Sequence, residues 1–283
     1  MNRLLLYTLL TCFSSMSAYA GYDEGLAAFN NRDYATAQQE MLPLAEHGNT
    51  SAQYILGASY EALRRSAQDY RQAVYWYTQA AEQGDVMAQR QLGNLYGNGK
   101  VAPLDYGKAL FWYTKAAEQG DARSQYSLGY IYENGLGTAV DYRQSLYWYT
   151  LSAEQGDAGA QRNLGFMYEL GWGTAQDYKQ AVGWYAKSAE QGNADAQHNL
   201  GVMYEIGRGV ARDDKQAAFW YRRAAEQGHV SAQASLGNYY RIGLGVEKNL
   251  AEAERLLSMA AKSGNHWAEE KLDQLQAGNA GRR

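Results

Sequence analysis

Cysteine is almost missing from this chain: Cys12 is the only one in 283 residues. It lies in an N-terminal segment that reads as removable, and without that segment neither a disulfide nor a thiolate metal site can form. Basic blocks are missing too. Lysine and arginine total 26 against 30 aspartates and glutamates, a formal charge of −4, and no lysine-arginine run interrupts that balance. Nucleic acid and anionic membranes are therefore poor candidates for the main partner. No stretch beyond the N-terminus is apolar enough to span a bilayer, so no integral membrane segment is expected. Histidine is sparse, and His47, His198, His229 and His266 fall in different parts of the chain without paired metal-ligand spacing. No serine sits in a nucleophile elbow or an S-x-x-K arrangement with partners. Cofactors and catalytic residues are therefore not expected, and the chain reads as a binding protein, not an enzyme.

The N-terminus carries a signal of its own. Arg3 supplies a positive start, Leu4 to Phe13 an apolar run too short to cross a membrane, and Ala18-Tyr19-Ala20 a small-x-small box before Gly21. Residues 1–20 read as a secretory signal peptide cleaved after Ala20, which would make the protein periplasmic or secreted, in a Gram-negative bacterium. Lipidation of Cys12 is the alternative, but Thr11 is a poor residue just before a lipidated cysteine. Losing Arg3 leaves 25 basic against 30 acidic residues, moving the charge from −4 to −5.

What the chain does have is repetition. Gly48, Gly84, Gly120, Gly156, Gly192, Gly228 and Gly264 are each 36 residues apart, most of them closing a Glu-Gln-Gly tripeptide or a near variant. A fixed period of this size marks stacked helix pairs, each unit burying its apolar face on its neighbours. In the unit 85–120, Asp85 is a helix cap, and Ala88, Leu92, Leu95 and Tyr96 follow at helical spacing. Gly93 sits mid-helix at a cost of ~1 kcal/mol relative to alanine. Its recurrence as Gly57, Gly129, Gly165, Gly201 and Gly237 predicts close approach of a partner helix. A glycine-rich turn follows; its Gly-x-Gly spacing lacks the strand and the Lys-Ser/Thr of a phosphate loop. Asp105 then caps a second helix, as Asp33, Asp69, Asp141, Asp177, Asp213 and Asn249 are expected to do in their units. Tyr106, Ala109, Tyr113, Ala116 and Ala117 form the apolar stripe, Trp112 and its counterparts interlock with small residues, and Gly120 closes the helix in the left-handed conformation.

The pattern Ala-Gln-x-x-Leu-Gly-x-x-Tyr, Gly-x-Gly, then Asp-Tyr-x-x-Ala-x-x-Trp-Tyr-x-x-Ala-Ala-Glu-Gln-Gly closely resembles the SEL-one-like repeat, a relative of the tetratricopeptide repeat, from about Asn49 to Gly264. The resemblance implies an all-α fold, a right-handed α/α solenoid of stacked antiparallel helix pairs. Its units would be about 21–48, 49–84, 85–120, 121–156, 157–192, 193–228 and 229–264, followed by a capping helix over 265–275 and a mobile tail at 276–283. Departures gather at the ends. The first pair turns at Asn30-Asn31-Arg32 without a glycine loop, the second has Leu63-Arg64-Arg65 in place of Gly-x-Gly, and the last has Leu256-Leu257 for Trp-Tyr and Lys262-Ser263 for Glu-Gln.

By analogy with tetratricopeptide arrays, the first helices line a concave side, and columns of equivalent positions down that side become candidate contacts. One column holds Tyr54, Arg90, Tyr126, Arg162 and His198; the next holds Tyr130 and Phe166; a third holds Glu61, Gly97, Glu133, Glu169 and Glu205; the fourth ends in Leu170, Ile206 and Ile242. Tyrosine, arginine and phenylalanine in the middle copies suit interface anchors. Trp172 stands out in a loop, either as an exposed rim contact or as a ring folded onto the adjacent helix end. The family resemblance implies an exported adaptor whose partners are proteins or peptides, and a monomeric state is expected. An endoplasmic-reticulum lumenal adaptor remains the alternative, as does a hydrolase like the cysteine-rich relatives, whose cysteine pairs this chain lacks.

Overall fold

The computed structural model describes residues 21–63, 66–98 and 104–280. The expected signal segment at 1–20, Arg64, Arg65, Gly99 and Pro103 lie outside them. Every regular element among the described residues is a helix, and contacts divide the chain into two compact units, Met1–Val140 and Asp141–Arg283. Unit 1 holds α1 (21–30), α2 (Tyr34–Glu46), α3 (Thr50–Leu63), α4 (Ala67–Glu82), α5 (Val86–Asn98), α6 (Tyr106–Glu118) and α7 (Ala122–Asn134). Unit 2 holds α8 (Tyr142–Glu154), α9 (Ala158–Leu170), α10 (Tyr178–Glu190), α11 (Ala194–Ile206), α12 (Asp214–Glu226), α13 (Val230–Ile242), α14 (Leu250–Lys262) and α15 (His266–Ala280). Within each unit every helix packs on the next, so the core is a continuous seam between helix pairs.

The capping pattern is largely as expected. Asp105 accepts from the Lys108 N–H at 2.9 Å, and Asp141, Asp177, Asp213 and Asn249 cap their helices in the same way. Asp69 differs. The helix begins three residues earlier, capped by Ser66, whose hydroxyl accepts from the Asp69 N–H and donates to the Asp69 carboxylate. That reciprocal pair satisfies the helix start better than Asp69 alone would. At the other end α15 runs to Ala280 and does not stop at Leu275, so most of the expected tail is helical.

The mid-helix glycines meet tyrosine rings. A Cβ on Gly57 would lie 2.8 Å from the Tyr77 ring, and one on Gly165 would lie 2.7 Å from the Tyr185 ring. In the last pair Leu257 replaces the ring and lies 2.9 Å from the position a Cβ would take on Gly237. Each glycine thus lets the second helix seat its largest core side chain against the first helix, and Tyr77, Tyr185 and Tyr221 are fully buried. The Gly-x-Gly loops make a second close approach. Their second glycines, Gly173 and Gly209, lie over the backbone of Tyr142 and Tyr178 at the start of the preceding second helix, where no Cβ fits. The loop is a packing device and presents no phosphate cradle.

Candidate functional site

Polar side chains stitch the repeats before any are left for a partner. The glutamine of Ala-Gln donates back to the preceding second helix: Gln53 to the Ala45 carbonyl at 3.0 Å, Gln89 to Ala81 at 3.0 Å, Gln197 to Ala189 at 3.0 Å. The glutamine of Glu-Gln-Gly then donates to that first glutamine, as in Gln83 to Gln53 at 2.7 Å and Gln191 to Gln161 at 2.8 Å. The tripeptide's middle residue is therefore a brace between helices. Ser263, which stands in its place in the last pair, is too short to reach and turns back to the Met259 carbonyl.

The glutamate column is structural as well. Glu61 accepts from the buried Tyr77 hydroxyl at 2.8 Å, Glu169 from Tyr185 at 2.7 Å, and Glu205 from Tyr221. Burial, together with the neighbouring carboxylate, pushes each of these phenols well above its ordinary range. Where the column has Gly97, the Tyr113 hydroxyl donates to Asn94 instead, at 2.8 Å.

The first candidate column faces the junction with the following repeat. Arg90 pairs with Asp121, the cap of α7, at 2.7 Å, with the two side chains only 14% and 12% exposed. Tyr54 packs its ring 5.7 Å from Tyr77, and Tyr126 is half-buried. Arg162 donates to Asn163 at 2.8 Å and lies over the Phe166 ring, while its buried Nε has no partner. His198 stacks on His229 with centroids 4.6 Å apart, a pairing that no spacing along the chain signals. His229 is itself a helix cap: its Nδ1 accepts from the Ala232 N–H at 3.1 Å, and its Nε2 lies 3.3 Å from Asp195. Burial, and then repulsion from His229, hold His198 down at about 4. Trp172 is half-buried, stacked on Tyr142 at 4.6 Å and edge-on to Phe166 at 5.5 Å, so the ring is folded onto the helix ends.

The fourth column is open. Leu170, Ile206 and Ile242, the last residues of α9, α11 and α13, are 42%, 46% and 48% exposed. Each precedes the left-handed glycine that ends its helix, so the side chain projects where the backbone turns away. Phe166 and Val202, one turn earlier, are half-buried and extend the strip. Tyr130 is the open member of its column in unit 1. A second exposed set was missed from the sequence: Tyr75, Phe111, Tyr147 and Phe219 on the second helices, each edge-on to the tryptophan after it. Its signal was present, an aromatic before the repeated tryptophan. Among the described residues no three His, Cys, Asp or Glu side chains come together to hold a metal, and no helix is long and apolar enough to cross a membrane.

The Sel1 repeat profile matches six consecutive segments, 50–85, 86–121, 122–157, 158–193, 194–229 and 230–265. Among solved structures, a protective antigen present in uropathogenic Escherichia coli strains and displaying an SLR fold is 39% identical. The match covers 83% of this chain and 50% of that one, with a TM-score of 0.79, so the present chain spans about half the antigen's length. A Sel1 repeat protein from Oxalobacter formigenes is 34% identical over 85% of this chain and 99% of its own, with a TM-score of 0.71. No curated protein matches the chain. With the repeat matched across residues 50–265, the chain belongs to the Sel1 repeat family.

Proposed function

We infer that the protein is an exported scaffold that binds a protein or peptide partner on the faces of its first helices. Sel1 repeat proteins generally mediate protein–protein interaction and are typically non-enzymatic scaffolds. The observation that carries the assignment to a face is the aliphatic row Leu170, Ile206 and Ile242, left exposed at one register in three successive repeats of unit 2. Single exposed aliphatics need no explanation, but a row in register on a repeat surface marks a place where apolar area can be buried on a partner. The equivalent positions in unit 1 are Ala62, Asn98 and Asn134, and the asparagines supply the test. Changing Leu170, Ile206 and Ile242 to asparagine should keep the fold and remove the partner from cross-linked complexes isolated from cell-envelope fractions. Undiminished capture by the triple variant would move binding off the first helices. Export is read from the N-terminal segment alone, and the mature protein should begin at Gly21 on N-terminal sequencing.

A further inference from the structure

Two departures from the repeat meet in one place. Position 222 of α12 corresponds to Thr78, Thr114, Thr150 and Ala186 in earlier units. The threonines bond their own helix, Thr78 to the Val74 carbonyl at 2.7 Å and Thr114 to Leu110 at 2.8 Å. Arg222 instead reaches across to α13 and donates through Nη2 to the Tyr240 hydroxyl at 2.9 Å. Lys248, before the cap of α14, corresponds to Leu104, Val140, Gln176 and Arg212. Arg222 and Lys248 both line a cleft of about 560 Å³ beside α12, whose other charged walls are Lys215 and Glu247.

Three cations against one carboxylate leave the cleft positive, although the chain as a whole carries −4. Among the described residues neither Lys215 nor Lys248 makes an ion pair. Arg222 feels Glu252, but that carboxylate is already bound by Arg255 at 2.6 Å, and a guanidinium has donors to spare after one bond to Tyr240. Phe219 lines the same cleft and is 45% exposed. A second cleft of about 270 Å³ shares Arg222 and Tyr240 with the first, but there Glu226 and Glu252 balance Arg222 and Arg255. The two clefts meet at the hydrogen-bonded Arg222 and Tyr240, and the cationic excess lies in the first of them.

We propose that the first cleft binds an acidic peptide segment of a partner protein, its carboxylates meeting Lys215, Arg222 and Lys248 and an apolar side chain resting on Phe219. The site is built from α12, Tyr240 of α13 and the loop before α14, and its charged contacts do not use the aliphatic row of the first helices. Fluorescence anisotropy on the chain from Gly21 onward, with a labelled peptide alternating glutamate and phenylalanine, tests it directly. The peptide should bind, and a lysine-phenylalanine counterpart should not. Arg222→Thr with Lys248→Gln, residues the same positions hold in other repeats, should raise Kd by about tenfold or more, and added salt should weaken wild-type binding. The triple asparagine variant of the aliphatic row should leave Kd unchanged. Absence of binding, equal binding of the basic peptide, or an unchanged Kd in the double variant would overturn the proposal. Displacement of the peptide by inorganic phosphate at the concentration that binds on its own would reassign the cleft to a free anion and overturn it equally.

Discussion

At the scale of single residues, the repeat sets large side chains against the smallest. Gly165 receives the Tyr185 ring at a distance where a Cβ has no room, so Gly165→Leu should destabilise by ~1–3 kcal/mol or more through overpacking. Ile206→Asn, on an open position, should cost far less; thermal melts in the reverse order would mean that the packing register is misdrawn. Arg32 presents the opposite case. It is the only described non-glycine residue with positive φ, at 63°, in the turn between α1 and α2. Arg32→Gly removes the left-handed penalty of ~1 kcal/mol, offset in part by the freer unfolded glycine, so the melting temperature should rise slightly or hold. His198 carries a pH dependence. Its folded pKa of about 4 lies below the ordinary 6.5, because the ring is buried beside His229 and only partly compensated by Asp195 and Asn199. The unfolded chain therefore binds the extra proton between those values, and stability falls as pH drops through that window. Above it the contribution is fully present. His198→Tyr, the residue at equivalent positions 54 and 126, should flatten the loss of stability between pH 7 and pH 4.5 by ~1–3 kcal/mol, read from denaturant melts at the two pH values. An unchanged pH slope would count against the burial of His198.

At the scale of elements, the 36-residue period made the helix pairs, their glycine contacts and most caps legible, because each depends on residues that recur within one unit. The roles of the polar columns were not legible. Arg90 and Asp121 are 31 residues apart, and Tyr77 and Glu61 are 16 apart. Neither offset shows in a pattern written one unit at a time, since the first crosses to the next helix pair and the second joins two helices through a side chain. Columns that looked free for a partner were therefore partly committed to the repeat itself, and the row ending α9, α11 and α13 stayed open, as did Tyr130 in unit 1. Trp172 resolved toward packing for a related reason: Tyr142 and Phe166, which hold it, come from two other helices of unit 2. The braces should be measurable. Gln227 donates at 2.8 Å to Gln197, which is 1% exposed. Gln227→Ala leaves that buried acceptor without its donor, a loss of ~1–2 kcal/mol. An effect near zero in a urea titration would show that water takes over the bond.

For the whole molecule, stability in a repeat protein is a sum over neighbouring repeats, so the ends matter more than their size suggests. Unit 2 ends with α15, which packs on α14 and α13 and covers a cluster of Ala234, Leu257, Ala260 and Ala268. Helix α15 is weakly amphipathic, but Ala268 and Leu275 are buried, and the cluster it packs on is almost completely sealed. Removing residues 266–283 opens that seam. Each fully re-exposed aliphatic side chain costs roughly 1.5–3 kcal/mol, and Leu257 alone brings the loss into that range. The exposed strip would also present a helix face shaped for another helix, with nothing left to occupy it. The expected outcome is a melting temperature several degrees lower and concentration-dependent association in light scattering, while deletion of residues 281–283 alone leaves both unchanged. If the longer deletion shows no added association and an unaltered melt, α15 is not the cap, and the last helix pair closes the stack through Leu256 and Leu257 without it.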